Sequence, residues 1–147
     1  MKTNKPRIII DTNVILVSVL IHHKFFWINE ALVSEKYTLL VSNEIIEEYE
    51  EKLIEKFGVH RAQKVLDALM DQINVERISP IYRWLLIKDD PDDDKFVDCA
   101  VAGNADFIVT HDKHFNILKE IPFPKVETVT IPEFKEILEK FERGNFE

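Results

Sequence analysis

Between residues 89 and 94 the chain reads DDPDDD, five aspartates in six positions, and it turns apolar at Phe96 and Val97. Two further aspartates stand where β-branched runs stop: Asp11 directly after RIII (7–10), and Asp112 shortly after DFIVT (106–110). Glu44, Glu47 and Glu48 follow a third such run, YTLLV (37–41). Carboxylates gathered within a few ångströms repel, and one or more takes up a proton unless something cancels the charge. Mg2+ and Mn2+ remove that cost, because hard ions prefer carboxylate and water oxygens. A water they activate can attack a phosphodiester, and two ions roughly 3.5 to 4 Å apart can clamp its attacking and leaving oxygens. The plainer reading of the acidic segment is a solvated helix start, with Asp90 as cap, Pro91 at the first helical position and acids complementing the dipole.

Which reading holds depends on where the elements put these acids. RIII is a short buried strand by its β-branched run, and the residues Val14, Ile15, Val17, Ser18 and Ile21 fit a helix after it. A second helix is expected over Phe25 to Val33, then the strand YTLLV. Ser42 is a plausible cap for a helix to about Phe57, with the stripe Ile45, Ile46, Tyr49, Leu53 and Phe57 as its buried face and Gly58 as its end. Another helix fits 59–71, and INVERI a short strand. From Asp90 a helix should run with Phe96, Val97, Ala100 and Val101 inward, closed by Gly103 or Asn104. DFIVT, VETVTI and a helix from Pro132 to Phe141 complete the pattern. Strands alternating with helices imply an α/β fold, a three-layer α/β/α arrangement around a central, mostly parallel sheet. Such sheets bind ligands beyond the carboxyl ends of their strands, where strand order reverses. Asp11 and Asp112 fall at such ends.

Composition sets the frame. With 147 residues, no repeat and no Gly/Ser linker, one domain over residues 1–147 is expected. No apolar run approaches the roughly 20 residues that cross a bilayer. The basic start, MKTNKPRIII, lacks the long apolar stretch of a signal peptide, so a cytoplasmic protein is expected. The single cysteine, Cys99, sits among apolar helix positions and reads as a small core residue. The net charge of −8 opposes non-specific attraction to nucleic acid, so binding RNA would require a local basic face or bound cations. Lys24, Lys52, Lys56, Arg61 and Lys64 are candidates for such a face, which an ordinary solvated surface explains equally well.

IIIDTNVIL, SNEIIEEY and DDPDDDKFVDCAVAGNADFIVTHDKHF, in this order and spacing, resemble the motif set of PIN-domain nucleases, specifically the toxin-like bacterial and archaeal members. The resemblance covers about the first 120 residues. It implies a PIN-like fold and a metal-dependent endoribonuclease, often the toxin of a toxin-antitoxin pair. Carried over by position, the first acid is Asp11, the second Glu48 and the fourth Asp112, two residues after Thr110. Nothing intrinsic separates Glu48 from its neighbours except its place beside Tyr49, at the border of the buried face. The third acid is Asp93, which shares the inward face of Phe96 and Ala100; Asp94, in line with Val97 and Val101, ranks second. Asp90 is then the helix cap, Asp92 a surface acid, and Asp89 has no role.

The resemblance implies Mg2+ or Mn2+ as cofactor, held by Asp11, Glu48, Asp93 and Asp112, with Asp94 as a further candidate ligand. It also implies an RNA substrate, an antitoxin partner and a homodimer, for which Phe25, Phe26 and Trp27 are candidate surfaces, with core packing the better explanation for at least two of them. Thr110 is expected to orient Asp112 or a water, Asn13 to hold the Asp11 carboxylate or equally to cap the next helix, and His111 to touch a substrate phosphate rather than join His114 on a metal. Two other readings stand beside this one. A non-catalytic PIN-fold binding module would suit the negative charge. Another metal-dependent phosphohydrolase, of the aspartyl-nucleophile type, would place an acid after the first strand, but its second aspartate is missing from Asp11, Thr12, Asn13.

Overall fold

The structure, a computed structural model, describes residues 5–144. The basic start ahead of Lys5, on which the expectation of no leader partly rests, lies outside the described residues. Five short strands form one sheet: β1 (Arg7–Ile10), β2 (Thr38–Val41), β3 (Val75–Arg77), β4 (Phe107–Val109) and β5 (Thr128–Val129). Their order is β3-β2-β1-β4-β5, and every neighbouring pair is parallel, so the sheet is wholly rather than mostly parallel. The reason is visible in the connections, each of which passes through helix or a long crossover, as parallel pairing demands. Ile8, Ile9, Ile10, Leu39, Leu40, Val41, Ile108 and Val109 are fully buried, which explains their continuous rather than alternating apolar runs.

Helices α1 (Thr12–Ser18), α2 (Trp27–Val33), α3 (Asn43–Phe57), α4 (Val59–Met70), α5 (Asp94–Gly103) and α6 (Ile131–Arg143) flank the sheet. The helix ends expected at Ser42, Gly58 and Asn104 fall where they were placed. The Ser42 side chain accepts from Ile45 N at the start of α3, and Gly58, at a φ of 84° that side chains resist, separates α3 from α4. Asn104 closes α5 in the left-handed region, and Gly103 just before it lets the helix approach the sheet: a Cβ there would meet Ile78 and Leu40 at 2.9 Å. At α6, Thr130 and Glu133 make a reciprocal capping box.

Several sequence expectations need correction. α1 stops at Ser18, whose hydroxyl donates back to the Ile15 carbonyl, and Ile21 is exposed rather than on a buried helical face. The second helix begins at Trp27, not Phe25; the His23 ring accepts the Phe25 N–H and holds a turn there. The acidic segment does not open directly into an α-helix. Residues Pro91–Asp93 form a short 3-10 turn, and α5 starts at Asp94. A further 3-10 stretch, Lys113–Glu120, follows β4 where no element was expected. No helix among the described residues is long and apolar enough to cross a membrane.

Candidate metal centre

Sheet order reverses at β1, so the crevice beyond the carboxyl ends of β1 and β4 is the switch point of this fold. Register then decides which residues meet in it. Ile10 pairs with Val109, which sets Asp11 beside Thr110, and the Asp11 N–H donates to the Val109 carbonyl at 3.0 Å. The Tyr49 hydroxyl, fully buried, donates to the Ile10 carbonyl and fixes the end of β1 from the α3 side.

Thr110 links two of the acids. Its hydroxyl donates to Asp11 Oδ2 at 2.8 Å and accepts from the Asp112 backbone N–H at 3.0 Å. Thr110 thus reaches the main chain of Asp112 rather than its carboxylate, and its hold on the Asp11 carboxylate is additional. Asn13 does not fill the role expected for it: it is exposed, while Thr110 and the Thr12 backbone N–H serve the Asp11 carboxylate. Burial raises the Asp11 pKa above its ordinary value against these hydrogen bonds, and the charges of Asp112 and Glu48 raise it further.

Asp93 stands at the centre of the acidic group. It is buried, and its Oδ2 has no hydrogen-bond donor among the described residues. Ligand atoms of Asp90, Asp93, Asp112 and His114 all lie within 4.8 Å of one another. Burial, then the charges of Asp90, Asp11 and Asp112, push the Asp93 carboxyl up to about 8. Asp112 is close enough to Asp93 for their carboxyls to share a hydrogen bond, which two carboxylates can do only through a proton. Oxygen-rich donors, one of them buried and unpartnered, fit a hard divalent ion, and the half-exposed His114 ring adds one nitrogen at the edge.

The other acids divide in ways the sequence did not reveal. Asp90 is not a side-chain cap. Its backbone carbonyl accepts from Asp93 N, no cap hydrogen bond comes from its carboxylate, and that carboxylate faces His114 Nδ1 at 3.5 Å. Asp94 is as buried as Asp93 but turns the other way, accepting the Ile87 N–H at 2.8 Å. Asp92 is exposed, as expected. Glu48 reaches toward the same edge from α3, with both oxygens engaged. Oε1 pairs with Lys95 at 2.6 Å, and Oε2 accepts the Thr12 hydroxyl. Lys95, whose side chain is only 14% exposed, went unnoticed in the sequence because it looks like one more surface charge after a run of aspartates.

His111 is also differently employed. Its Nε2 accepts the Ile131 N–H at 3.0 Å at the start of α6, so that nitrogen is committed to the fold, while the ring lines a cavity of about 330 Å³ with Asp11, Asn13, Asp112 and Phe25. Of the basic candidates, Lys24 lies over the Phe25 ring, Lys56 and Arg61 lie over Phe57, and Lys52 pairs with Glu55, the contacts of a solvated face. Phe25, Phe26 and Trp27 are half-buried, and Trp27 packs on Phe134 of α6.

A family model described as a PIN domain matches residues 7–114. No curated protein sequence matches the chain. Among solved structures, the chain is similar to VapBC2 from Rickettsia felis, bound to a DNA fragment from its promoter, with a TM-score of 0.60 and 20% identity over 84% of this chain and 98% of that one. VapBC-1 from nontypeable Haemophilus influenzae gives a TM-score of 0.57 and 14% identity over 86% of this chain and 98% of that one. The PIN domain endonuclease Utp24 gives 0.50 and 20%, over 86% of both chains. At these identities the likeness is one of fold.

Proposed function

The chain belongs to the PIN-domain family, and from that premise we propose that it is a metal-dependent endoribonuclease, the toxin of a toxin-antitoxin pair. The observation that carries this reading is the Asp93 carboxylate, buried with one oxygen lacking a donor and facing Asp90, Asp112 and His114. A protein gains nothing in stability from such an arrangement; a divalent ion makes it favourable. Asp93, Asp112 and Asp11 would hold Mg2+ or Mn2+, with Asp90 and His114 at its edge. Such an ion supplies a polarised water as nucleophile and positive charge against the transition-state phosphodiester.

The protein's own residues do the rest. Thr110 keeps Asp11 and Asp112 at a fixed spacing, so neither must be reorganised when substrate arrives. Glu48 acts one step back. Its charge is matched by Lys95, and its second oxygen steadies Thr12 at the start of α1, next to Asp11. Asp94 accepts the Ile87 N–H and so ties the segment before the acidic turn to the start of α5. The nucleophile in this reading is a water, so no covalent protein intermediate is expected.

The toxin assignment is supported by the likeness to the VapBC structures, and the Utp24 likeness supports nuclease chemistry on the same fold. Mixed RNAs incubated with the purified chain in Mg2+ or Mn2+, and in parallel with chelator, test the reading. Cleavage only with the ion supports it, and cleavage indifferent to chelator contradicts it. Co-expression with the product of a neighbouring small gene, read as a stable complex that no longer cleaves, tests the antitoxin.

A further inference from the structure

Residues 78–89 run from the end of β3 to the acidic turn with neither helix nor strand. Two buried carboxylates on α5 pin them down. Asp98 Oδ1 accepts the Trp84 N–H at 3.0 Å, and Asp94 Oδ1 accepts the Ile87 N–H at 2.8 Å. Asp94 and Asp98, one helical turn apart, thus fasten this strap to the helix that follows Asp93. The side chains it presents are unusual for a surface: Tyr82 is 62% and Leu85 63% exposed, with Trp84 half-buried between them.

A second strap, residues 121–124, faces the first. Phe123, 78% exposed, meets the Trp84 ring edge-on at 5.9 Å, and Trp84 meets Tyr82 at 4.5 Å, giving three rings in a row across two segments. Between the straps lies a groove of about 590 Å³ whose walls include Leu86, Ile87, Ile121 and His114. His114 is also a member of the acidic group, so the groove and the candidate metal centre share this residue as a border. Contiguous exposed apolar surface of this kind marks a binding site.

The chemistry around it selects an occupant. Arg83 stands between the two rings of the first strap, Lys88 lies further along it, and Lys125 follows the second. Arg83 and Lys125 make only exposed pairs, with Glu44 and Glu127, which a phosphate can replace at little cost, and Lys88 makes no ion pair among the described residues. Asp89 and Glu120 outnumber Lys88 in the groove lining, which disfavours phosphate inside it and leaves its apolar walls to uncharged groups. Rings interleaved with cations, beside a site built for a phosphodiester, match a strand with a charged backbone and flat bases.

We propose that Tyr82, Trp84 and Phe123 are a stacking platform for unpaired bases of an RNA strand whose adjoining phosphodiester lies at Asp93 and Asp112, an inference that rests on the ribonuclease reading. Stacking on aromatic faces is tolerant of sequence and available only to bases free of a duplex. The platform therefore selects single-stranded RNA and sets which bond lies over the acids.

The test is anisotropy of a labelled unpaired RNA of about 12 nucleotides, in chelator so that it stays intact, against the same RNA annealed to its complement. The full chain and the variants Tyr82→Ala, Phe123→Ala, Tyr82→Phe and Phe123→Tyr are compared, with thermal melts reporting that each is folded. The single strand should bind more tightly than the duplex, each alanine should weaken it roughly five- to tenfold, and the aromatic exchanges should retain it. Equal binding of duplex, unchanged affinity in both alanine variants, or no RNA binding by the parent chain overturns the platform. Self-association abolished by Phe123→Ala would give the patch to a second copy instead. Platform-dependent binding without cleavage in Mg2+ would overturn the nuclease and keep the platform; cleavage with binding indifferent to the rings would do the reverse.

Discussion

The Thr110 hydroxyl donates to Asp11 Oδ2 at 2.8 Å, so the residue after β4 holds the acid after β1 across the switch point of the sheet. Replacing Thr110 by Val keeps the shape and removes both of its hydrogen bonds. Metal affinity should fall roughly 10- to 100-fold, as for other residues that orient ligands from behind, with a stability loss of about 1–3 kcal/mol from the unsatisfied buried acid. Thr110→Ser should restore both. Calorimetric titration with Mn2+ and a denaturant melt read the two effects separately.

Asp93 and Asp94 are neighbours with opposite jobs, and substitution should separate them. Asp94→Ala strands the buried Ile87 N–H and should cost about 1–3 kcal/mol, lowering Tm by several degrees. Asp93→Asn removes a repelled acid, so the metal-free chain should be as stable as the parent or more so while losing divalent-ion binding. Thermal melts with and without Mg2+ distinguish them: only the Asp94 variant should keep a stabilising response to the ion.

Stability of the metal-free chain should depend on pH with a definite sign. Burial and neighbouring charge raise the folded Asp93 carboxyl to about 8, above its ordinary acid range. Between those two values the folded chain carries a proton that the unfolded chain has released, so stability falls as pH rises through that window. Asp11, also raised, contributes in the same direction. Tm measured from pH 5 to 8 in chelator should decline, the decline should flatten in Asp93→Asn, and saturating Mg2+ should shrink it. A Tm that rises across this range in the metal-free chain contradicts the assignment.

Lys95 and Glu48 form a pair with side chains only 14% and 18% exposed. Lys95→Met should destabilise the chain, by less than the roughly 3–5 kcal/mol of a fully buried pair because water still reaches this one. Glu48→Gln should reduce ion affinity less than Asp11→Asn does, since both Glu48 oxygens already have partners. Equal losses in the two variants would make Glu48 a direct ligand.

Much of this was readable from residue order. β-Branched runs ending in Asp11 and near Asp112 announced parallel strands with acids at their carboxyl ends, and Ser42, Gly58 and Asn104 marked helix boundaries through local chemistry. What could not be read was direction within a crowded segment. Asp90, Asp93 and Asp94 are chemically identical and differ only in which way a 3-10 turn, rather than an α-helix, aims them. Likewise Lys95 and His114 gain meaning only from partners 47 and 24 residues away, Glu48 and Asp90, which no local pattern encodes. The strap over residues 78–89 was invisible for the same reason: it has no periodicity, and buried acids on α5 hold its backbone.

RNA cleavage is proposed to depend on a divalent ion that Asp93 and its neighbours would hold. The most direct measurement compares initial cleavage rates of one unpaired RNA by the parent chain and by Asp93→Asn across a Mg2+ titration, with both proteins shown folded by melting. Cleavage that saturates with Mg2+ in the parent and falls at least 100-fold in Asp93→Asn is the predicted result. Equal rates in the two proteins, or rates indifferent to Mg2+, would contradict it.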